Sequence, residues 1–512
     1  MSVFKQLLDK RQSNSGGRRW LFIPYDQLSD GIGPLAKEDP KSLGIILVEN
    51  TWKAARRPYH KQKLALILTN LRNFALEQAD RGVAVKYVVA HKPYGNALEK
   101  IIAETGPIRM MAPAERELRV DLQELEKKGD LELVPHKGWL TTSEHFHESK
   151  EKGPPWRMDV FYRYIRRQTG ILMEKGKPVG GKLSFDVNNR LAWKGDPQAP
   201  EVPTFPVDPV KREVAKLIES RLSHHPGQLD LHRLPGTKSD AQNRWSWAKS
   251  ECLAYVGPYQ DAMSKGSSSL FHTRISALLN IHRLLPAEIT DDVLKMDLPL
   301  PSKEGFVRQV LGWREFVHHV HLATDGFRTM PTGTPPVAKR PGDGGYSRWA
   351  GKSWPDKWSR EDPDGGAKPS FLGGNNPLPQ AYWGEESGLN CLDEVVSQVW
   401  REGYGHHITR LMVLSNLATL LEISPRELTD WFWVAYGDAY DWVVEPNVLG
   451  MGTYAVGDLM TTKPYTSGAA YINKMGDFCQ SCLFDPKKNC PITNLYWSFL
   501  DRHQESLKNN PR

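Results

Sequence analysis

The stretch FCQSCLFDPKKNCP, residues 478–491, holds three of the five cysteines in this chain of 512 residues. Two residues separate Cys479 from Cys482, so a turn there would place both thiolates on the same side of the chain, and Cys490 follows downstream. This spacing suits one metal ion or one edge of a cluster, but three thiolates are one ligand short of the usual four. The other two cysteines are Cys391 and Cys252.

Spacing alone leaves three interpretations of these thiols open. Zinc sites usually combine two close-set ligand pairs, whereas Cys391 stands far upstream of the other three. A single C-x2-C pair with scattered further cysteines and a Cys-Pro step is more typical of an iron–sulfur cluster. The spacing favours a cluster over zinc, with incidental buried cysteines as the third interpretation. A disulfide staple is disfavoured because five cysteines are too few for a disulfide-built scaffold.

A histidine pair opens the apolar segment GYGHHITRLMVLSNLATLL, residues 403–421. His406 and Arg410 are four residues apart and share one helical face, and His407 lies beside them. A single helical histidine is usually a solvated or core residue. An adjacent pair with an arginine one turn later instead indicates a site that holds an anionic cofactor and moves a proton near neutral pH.

Two further segments carry basic and hydroxyl side chains. SSSLFHTRISALLN, residues 267–280, places Arg274 and several hydroxyls ahead of a predicted helix. That arrangement suits a phosphate cradle, although N-capping explains the hydroxyls more simply. LGWREFVHHVHL, residues 311–322, is a basic and aromatic helix that ordinary packing also explains. Neither segment identifies a site by itself.

The composition is that of an ordinary globular protein of two or more domains, with 39% hydrophobic and 25% charged residues. The net charge of +7, from 67 basic and 60 acidic residues, makes nucleic-acid binding only a mild favourite. The N-terminus has no apolar run of signal-peptide length, and no window of about eighteen apolar residues occurs. We therefore predict a cytoplasmic protein that does not bind membranes.

The N-terminal segment, from Arg18 to about Pro135, alternates short apolar runs with helical patterns. The apolar runs predict buried strands over 20–25, 44–50, 83–90, 108–113 and 131–136. Apolar residues at three- and four-residue spacing predict helices over 63–79, 96–105 and 115–128. This order predicts a doubly wound, Rossmann-like α/β domain that lacks the G-x-G-x-x-G of an NAD-type site.

Helical periodicity dominates from Trp156 onward. It predicts helices over 159–173, 208–222, 240–264, 270–285, 304–322 and most of 392–449, with a capping box that begins at Ser424. Between them, residues 327–380 form a long insertion rich in Pro, Gly and charge. Basic residues alternate there with tryptophans, which suits contact with phosphates and unstacked bases: Lys339, Arg340, Arg348, Lys352, Lys357 and Arg360 with Trp349, Trp354 and Trp358.

Taken together, the motifs resemble the photolyase–cryptochrome superfamily. The resemblance rests on SSLFHTRIS, QVLGWREF, GYGHHITRLM, YGDAYDWVVEPNVLGM, TKPYTSGAAYINKM, four of the cysteines and the Rossmann-like segment. It is closer to the bacterial iron–sulfur branch, which comprises the prokaryotic (6-4) photolyases and their cryptochrome relatives. It implies an antenna-chromophore domain over 18–145, connecting helices over 146–239 and an all-α FAD-binding domain over 240–512 with a C-terminal iron–sulfur region.

The resemblance also implies cofactors and their ligands. Cys391, Cys479, Cys482 and Cys490 would hold a [4Fe–4S] cluster, which leaves Cys252 as a buried thiol. FAD, bent and buried in the helical domain, would take its contacts from His272, Thr273, Arg274, Ser276, Trp313, Arg314, Arg410, Asp438 and Asn447. Arg410 and Asp438 would form an ion pair beside the flavin ring, and Asn447 would face its N5 atom.

The implied reaction is light-driven repair of (6-4) pyrimidine photoproducts in single- or double-stranded UV-damaged DNA by a protein that acts as a monomer. His406 and His407 match the histidine pair of the family. A (6-4) product carries a hydroxyl that must be returned, so a general acid has a purpose there, whereas a cyclobutane dimer needs no proton. The flipped lesion would lie against Trp313, Tyr465 and Tyr471.

Two further expectations come from the resemblance. Asp26 and Ile67 match an antenna site for 6,7-dimethyl-8-ribityllumazine, although Lys53 stands where relatives can have an acidic contact. Trp383 and Trp431 match two stations of an electron-transfer chain. Relatives have a tyrosine between these stations, and this chain has Phe432, so the electron must bypass it through Trp433 or directly, or flavin reduction is slow.

Two alternative functions remain at this point. The first is a blue-light photoreceptor with the same flavin and cluster, in which the insertion would serve a partner protein. The second is a light-independent iron–sulfur protein that binds nucleic acid. Flavin absorption would separate the second from the others, and repair of a (6-4) oligonucleotide would separate photolyase from photoreceptor.

Overall fold

The computed structural model describes residues 2–150, 153–331, 366–508 and 510. The basic and aromatic residues predicted to contact DNA from the insertion lie outside these ranges. The chain divides into two compact units. Unit 1 comprises 1–140, 202–246 and 275–289, and unit 2 comprises 141–201, 247–274 and 290–512. Both units are discontinuous in sequence, and the predicted connecting segment 146–239 is divided between them.

A five-stranded parallel sheet forms the centre of unit 1, and it confirms the predicted strands. Its strands are β1 (Arg19–Phe22), β2 (Leu43–Asn50), β3 (Ala84–Ala90), β4 (Ile108–Met111) and β5 (Leu131–Val134). The spatial order is β3-β2-β1-β4-β5, with Leu21 opposite Arg109 where β1 meets β4. Ligands of such sheets bind outside the carboxyl ends of the strands where the order reverses, which is the β1–β4 boundary here.

Helices pack around this sheet as the periodicity predicts. Those of unit 1 are Val3–Asp9, Gly33–Lys37, Thr51–Ala55, Lys61–Asp80, Tyr94–Thr105, Arg116–Lys127, Pro209–Arg221 and Ser276–Asn280. Leu21, Ile45 and Leu47 of the strands pack with Phe74 and Ala75 of the long helix Lys61–Asp80 in one buried cluster. Strand β2, which pairs with β1 on one side and β3 on the other, is buried along its whole length, which is why it reads as a continuous apolar run.

The described part of unit 2 is built of helices and one small hairpin, β6 (Met173–Glu174) with β7 (Lys177–Pro178). Its α-helices are Ser143–Ser149, Met158–Thr169, Leu300–Val307, Glu315–Thr324, Asn390–Glu402, Asn416–Leu420, Pro425–Ala435, Asp441–Val444, Ala469–Met475, Pro491–Arg502 and Gln504–Leu507. Two further helices, Lys238–Trp247 and Pro286–Lys295, continue along the chain from unit 1 into unit 2. No helix in the described ranges is long and apolar enough to cross a membrane.

Among the described residues, four π-helical segments interrupt the regular helices: Ala248–Cys252, Arg308–Arg314, Thr409–Ser415 and Glu445–Gly452. The last three contain Trp313 and Arg314, Arg410, and Asn447, all of them expected at the flavin. A π-helical turn widens the helix and redirects side chains, and such turns are frequent at functional sites.

The helix predicted over 270–285 is wrong. Only Ser276–Asn280 is helical there, because Leu270, Arg274 and His282 have φ values of 43°, 53° and 59°. Non-glycine residues in this left-handed region cannot continue a right-handed helix. In contrast, the helix start at Ser424 is confirmed, since its hydroxyl accepts a hydrogen bond from the Glu427 N–H and Pro425 occupies the first turn.

Candidate functional site

Three histidines converge in unit 2. The rings of His272 and His406 stack with centroids 4.5 Å apart and planes only 8° apart, and the His407 ring lies 5.3 Å from His272. One ring nitrogen from each of the three lies within 4.8 Å of the other two. His406 is only 3% exposed, and both of its ring nitrogens are buried without a hydrogen-bond partner. A buried imidazole in that state is placed to meet a polar ligand.

Burial disfavours the charged form of all three imidazoles. It holds the pKa of His406 well below its ordinary value, and the positive charge of Arg410 adds to the effect. Burial likewise lowers the pKa of His272 to about 3. It also lowers the pKa of His407, but solvent limits this effect because the His407 side chain is 42% exposed.

Arg410 and Asp438 form a bidentate ion pair next to these histidines. The two guanidinium–carboxylate distances are 3.0 and 2.9 Å, and the Arg410 Nε–H donates to the Gly405 carbonyl at 2.7 Å. The guanidinium also lies 4.0 Å from the centroid of the Tyr436 ring. Burial opposes the charge of Arg410, but Asp438 outweighs it and raises the pKa of the arginine. We call His272, His406, His407, Arg410 and Asp438 the histidine–arginine site.

Asp261 and Tyr471 lie at the exposed side of His407. The Tyr471 hydroxyl donates to one Asp261 oxygen at 3.1 Å, and the other oxygen lies 3.9 Å from His407 Nε2. Burial raises the pKa of Asp261. Tyr465 is half-buried, with its pKa raised chiefly by burial and also by the charge of Asp186. The structure therefore brings Tyr471 to the histidines through a carboxylate that the sequence motifs did not indicate.

Arg274 lies within a network of hydroxyl and acidic groups. Its Nη1 is 2.7 Å from Glu402 and donates to the hydroxyls of Ser268 and Ser269 at 3.2 and 2.8 Å. The guanidinium covers the Tyr404 ring at 4.0 Å. Burial favours a neutral Glu402, yet Arg274 keeps the pKa of that carboxyl low. Arg274 is thus held in place by its neighbours.

The remaining residues expected at the flavin fall in different surroundings. Arg314 is buried 3.2 Å from Glu315 and lies over the Trp442 ring, and burial lowers its pKa to about 10. Asn447 donates to the Val443 carbonyl at 2.7 Å. Among the other expected contacts, Trp313 packs against Phe316, Thr273 is half-buried in unit 2, and Ser276 falls in unit 1.

Trp383 and Trp431 belong to a continuous series of aromatic side chains. The ring of Trp400 stacks on Trp383 with centroids 5.3 Å apart, and it meets Trp431 edge-on at 5.9 Å. Trp431 in turn contacts Tyr436 at 6.0 Å, beneath Arg410. Trp400 was not among the predicted stations, and the only sequence signal for it is a tryptophan on the apolar helix Asn390–Glu402.

Four of the five cysteines line one small pocket. Cys391 begins the helix Asn390–Glu402, Cys479 and Cys482 belong to the turn that follows Asp477, and Cys490 precedes the helix Pro491–Arg502. All five thiols are free. The other lining residues are apolar: Leu389, Ala469, Ile472, Phe478, Phe484 and Ile492. We call Cys391, Cys479, Cys482 and Cys490 the cysteine site.

Cysteine thiolates are ligands both of structural zinc and of iron–sulfur clusters, so the cysteine site could hold either kind of metal centre.

Cys252 lies away from the cysteine site. It is fully buried, and its thiol lies 3.9 Å from the His272 carbonyl. The expectation that Cys252 is a buried thiol is confirmed.

The expected antenna residues lie in unit 1, with charged groups at the carboxyl end of the sheet. Asp26 is buried after β1, and Ile67 is half-buried on the helix Lys61–Asp80. The Lys53 ammonium lies 2.6 Å from Glu115 and 3.3 Å from Glu117. The positive charge that the sequence placed in this site is therefore neutralised by two carboxylates from a different segment.

Sequence reasoning missed Asp261, Glu402, Glu115, Glu117 and Trp400. Asp261 and the glutamates are common residue types, Trp400 lies in a segment without a motif, and each gains its partner from another part of the chain. Their roles could not be read from local spacing.

Comparisons with known proteins agree with this architecture. A family model described as deoxyribodipyrimidine photo-lyase-related protein matches residues 21–233. A (6-4) photolyase of Agrobacterium fabrum is 30% identical over 510 residues, which cover 96% of this chain and 93% of the relative.

Solved structures show the same fold at lower identity. A bacterial class III photolyase from Agrobacterium tumefaciens matches 91% of this chain and 85% of its own, with a TM-score of 0.52 and 15% identity. A cryptochrome from Synechocystis matches 96% of this chain and 90% of its own, with a TM-score of 0.53 and 14% identity. With the full-length relative, they establish that this chain belongs to the photolyase–cryptochrome superfamily.

Proposed function

We propose that this protein is a DNA photolyase that repairs (6-4) photoproducts by light-driven electron transfer from reduced FAD. The observation that carries the proposal is the histidine–arginine site, where the buried imidazole of His406 and the more accessible imidazoles of His272 and His407 lie beside a paired arginine and carboxylate. A proton donor is needed for a (6-4) product and not for a cyclobutane dimer. The name of the full-length relative points to the same substrate.

The residues of unit 2 fit a buried anionic cofactor. Arg314 is a buried cation whose pKa burial lowers to about 10 despite Glu315, so an added negative charge would stabilise it. Arg410, held by Asp438, would lie along the flavin ring, and Arg274 with its hydroxyl neighbours would hold the diphosphate. When bound, FAD would supply the photoexcited electron.

His406 and His407 would deliver the proton. Because burial lowers the pKa of both imidazoles, they would gain this proton when substrate binds. Phosphates of DNA supply the negative charge that raises an imidazole pKa, and Asp261 lies on the Nε2 side of His407 to stabilise its charged form. A hydrogen bond from Tyr471 fixes the orientation of Asp261.

The damaged base would flip out of the DNA duplex and lie beside His407. Trp313, Tyr465 and Tyr471 are the aromatic residues proposed to contact it. The Arg190 side chain is 57% exposed, so it can reach DNA phosphates even though it also pairs with Asp186. Binding should weaken with added salt, as expected for phosphate contacts.

The cysteine site would hold a [4Fe–4S] cluster. The thiols lie in an apolar cavity, where burial and the neighbouring thiols raise the pKa of Cys391 to about 12 and that of Cys479 to about 11. Four thiolates can share such a space only around positive charge, which iron supplies. Because Cys391 and Cys490 are far apart in the chain, the cluster would stabilise the fold by joining them.

Asp26 and Ile67 would bind an antenna chromophore at the carboxyl end of the unit 1 sheet. We propose 6,7-dimethyl-8-ribityllumazine, because the carboxylates of Glu115 and Glu117 compensate the charge of Lys53. Extraction of the purified protein with acid, followed by mass analysis of the released chromophores, tests this assignment.

Blue-light repair of a (6-4) oligonucleotide by the reduced protein is the decisive test. We expect repair of the (6-4) product, no repair of a matched cyclobutane-dimer oligonucleotide and no repair in the dark. A protein that binds flavin and responds to light but restores neither lesion would instead be a photoreceptor. A protein without flavin absorption would contradict both functions.

A further inference from the structure

We propose that Trp400 is an electron-transfer station between Trp383 and Trp431, which allows flavin reduction despite Phe432. The inference rests on the proposed function, because the electron must reach a bound flavin. It concerns how the flavin becomes reduced, and repair by an already reduced protein does not require it.

Ring geometry makes Trp400 the link between the two tryptophans. Its ring is nearly parallel to that of Trp383, with 19° between the planes, and nearly perpendicular to that of Trp431, at 90°. The centroid separations are 5.3 and 5.9 Å, so each indole touches the next. Electron hopping requires this kind of contact between easily oxidised rings.

One backbone carbonyl holds both inner indoles. The Nε1–H groups of Trp400 and Trp431 donate to the Tyr382 oxygen at 2.9 and 3.0 Å. Tyr382 is itself fully buried, and its hydroxyl donates to the Leu414 carbonyl at 2.7 Å. A carbonyl oxygen stabilises the positive charge of an oxidised indole, yet it is too weak a base to remove the proton. The oxidised indoles therefore keep their protons until an electron reduces them again.

The series has an inner end at the proposed flavin site and an outer end toward solvent. Trp431 is 0% exposed and contacts Tyr436, over which Arg410 lies. Trp383 is partly exposed in the turn Gln380–Trp383. The direction of electron supply is therefore from Trp383 inward.

Phe432 has a packing role next to this series. Its ring stacks on Tyr436 at 5.3 Å with 12° between the planes, and it meets Trp431 at 88°. Phenylalanine is much harder to oxidise than tryptophan, so the ring supports Tyr436 without carrying charge. Phenylalanine instead of tyrosine at position 432 therefore does not interrupt the series if Trp400 connects Trp383 with Trp431.

In one turnover of the proposed series, Trp431 would give one electron to photoexcited oxidised flavin. Trp400 would then reduce the oxidised Trp431, and Trp383 would reduce the oxidised Trp400. An external thiol then refills Trp383. The flavin is reduced by one electron, the thiol is oxidised by one electron, and the three tryptophans return to their starting state.

The test compares flavin reduction under blue light, with an external thiol, in proteins matched for bound FAD. We expect Trp400→Phe and Trp431→Phe to be reduced about tenfold or more slowly than the parent, with Trp400→Tyr partly rescued because tyrosine can be oxidised. Trp433→Phe, which removes a neighbouring buried tryptophan, and Phe432→Tyr should match or exceed the parent rate. Reduction of Trp400→Phe at the parent rate would overturn the proposal.

Two controls separate this inference from the proposed function. Chemically reduced Trp400→Phe should repair a (6-4) oligonucleotide as fast as the chemically reduced parent. If neither protein repairs the oligonucleotide, the proposed repair function is contradicted. The rates of flavin reduction would still test the role of Trp400 in that case. In flavin-free protein, near-ultraviolet circular dichroism should show coupling of the stacked Trp383 and Trp400 rings that disappears in Trp400→Phe. Absence of that coupling from the parent would contradict the geometry on which the proposal depends.

Discussion

The cysteine site and the histidine–arginine site both lie in unit 2, and burial lowers the pKa of the three histidines and raises that of Cys391, Cys479 and Cys490. They differ in how charge is balanced. Arg410 and Asp438 give the histidine–arginine site a cation and a carboxylate of its own. In the cysteine site, apart from the thiols, every lining residue is apolar.

Because of this difference, the two sites depend to different degrees on charge supplied by a bound group. The cysteine site has no charged partner for thiolates among its lining residues, so the metal centre proposed there would stabilise them. In the histidine–arginine site, Arg410 and Asp438 neutralise each other, so the fold there does not depend on a bound group. The histidines would become charged only beside an anionic partner. Loss of one group should therefore damage the fold in the first site and the chemistry in the second.

The largest expected effect is in the cysteine site. Cys391→Ala, Cys479→Ala, Cys482→Ala and Cys490→Ala should each lose most of the iron and much of the soluble yield, because the cluster joins distant parts of the chain. Iron and sulfide content per chain measures the effect, and Cys252→Ala is the matched control that should keep both. A variant with unchanged iron content would be removed from the ligand set.

His407→Ala should lower (6-4) repair by about 10²- to 10⁴-fold, the usual contribution of a general acid, while FAD remains bound. His406→Ala should lower repair, FAD binding or both. Repair rates and the ratio of flavin to protein measure the two effects, and the exposed His232→Ala serves as a control. Parent-like repair in both variants would mean that the proton comes from another group.

Asp438→Asn should leave the Arg410 guanidinium without its carboxylate partner. Removal of one member of a buried pair costs about 3 kcal/mol, so both FAD affinity and the free energy of unfolding should fall. Flavin titration and denaturant unfolding measure these changes. The exposed pair of Lys508 with Glu505 supplies the control, because Glu505→Gln should cost well under about 1 kcal/mol. Equal losses in the two variants would show that the Arg410–Asp438 pair is no more important than a surface pair.

The smallest effect should be on pH-dependent stability. The pKa of His272 is lowered from 6.5 to about 3 in the folded protein, so stability from its neutral form is complete above pH 6.5 and is lost as pH falls toward 3. In flavin-free protein, the Tm of the parent should therefore fall by a few degrees more than that of His272→Gln over this range. A Tm difference that does not change with pH would show that burial does not shift this histidine.

Part of the fold followed from local patterns. Apolar runs predicted all five strands of the parallel sheet, because strands buried on both faces must be apolar throughout. The helix predicted over 270–285 failed because Arg274 and its neighbours adopt left-handed backbone angles, which periodicity does not reveal. Discontinuous units also have no local signature, since packing brings separated segments together.

The sequence by itself determined which groups are available: the C-x2-C pair, the adjacent histidines and the arginine one turn later. Only the tertiary structure decided their partners. It stacks His272 on His406, places Trp400 between Trp383 and Trp431, and neutralises Lys53 with Glu115. The physical reason is that residue spacing fixes neighbours within one turn or strand, whereas contacts between distant segments depend on how the whole core packs.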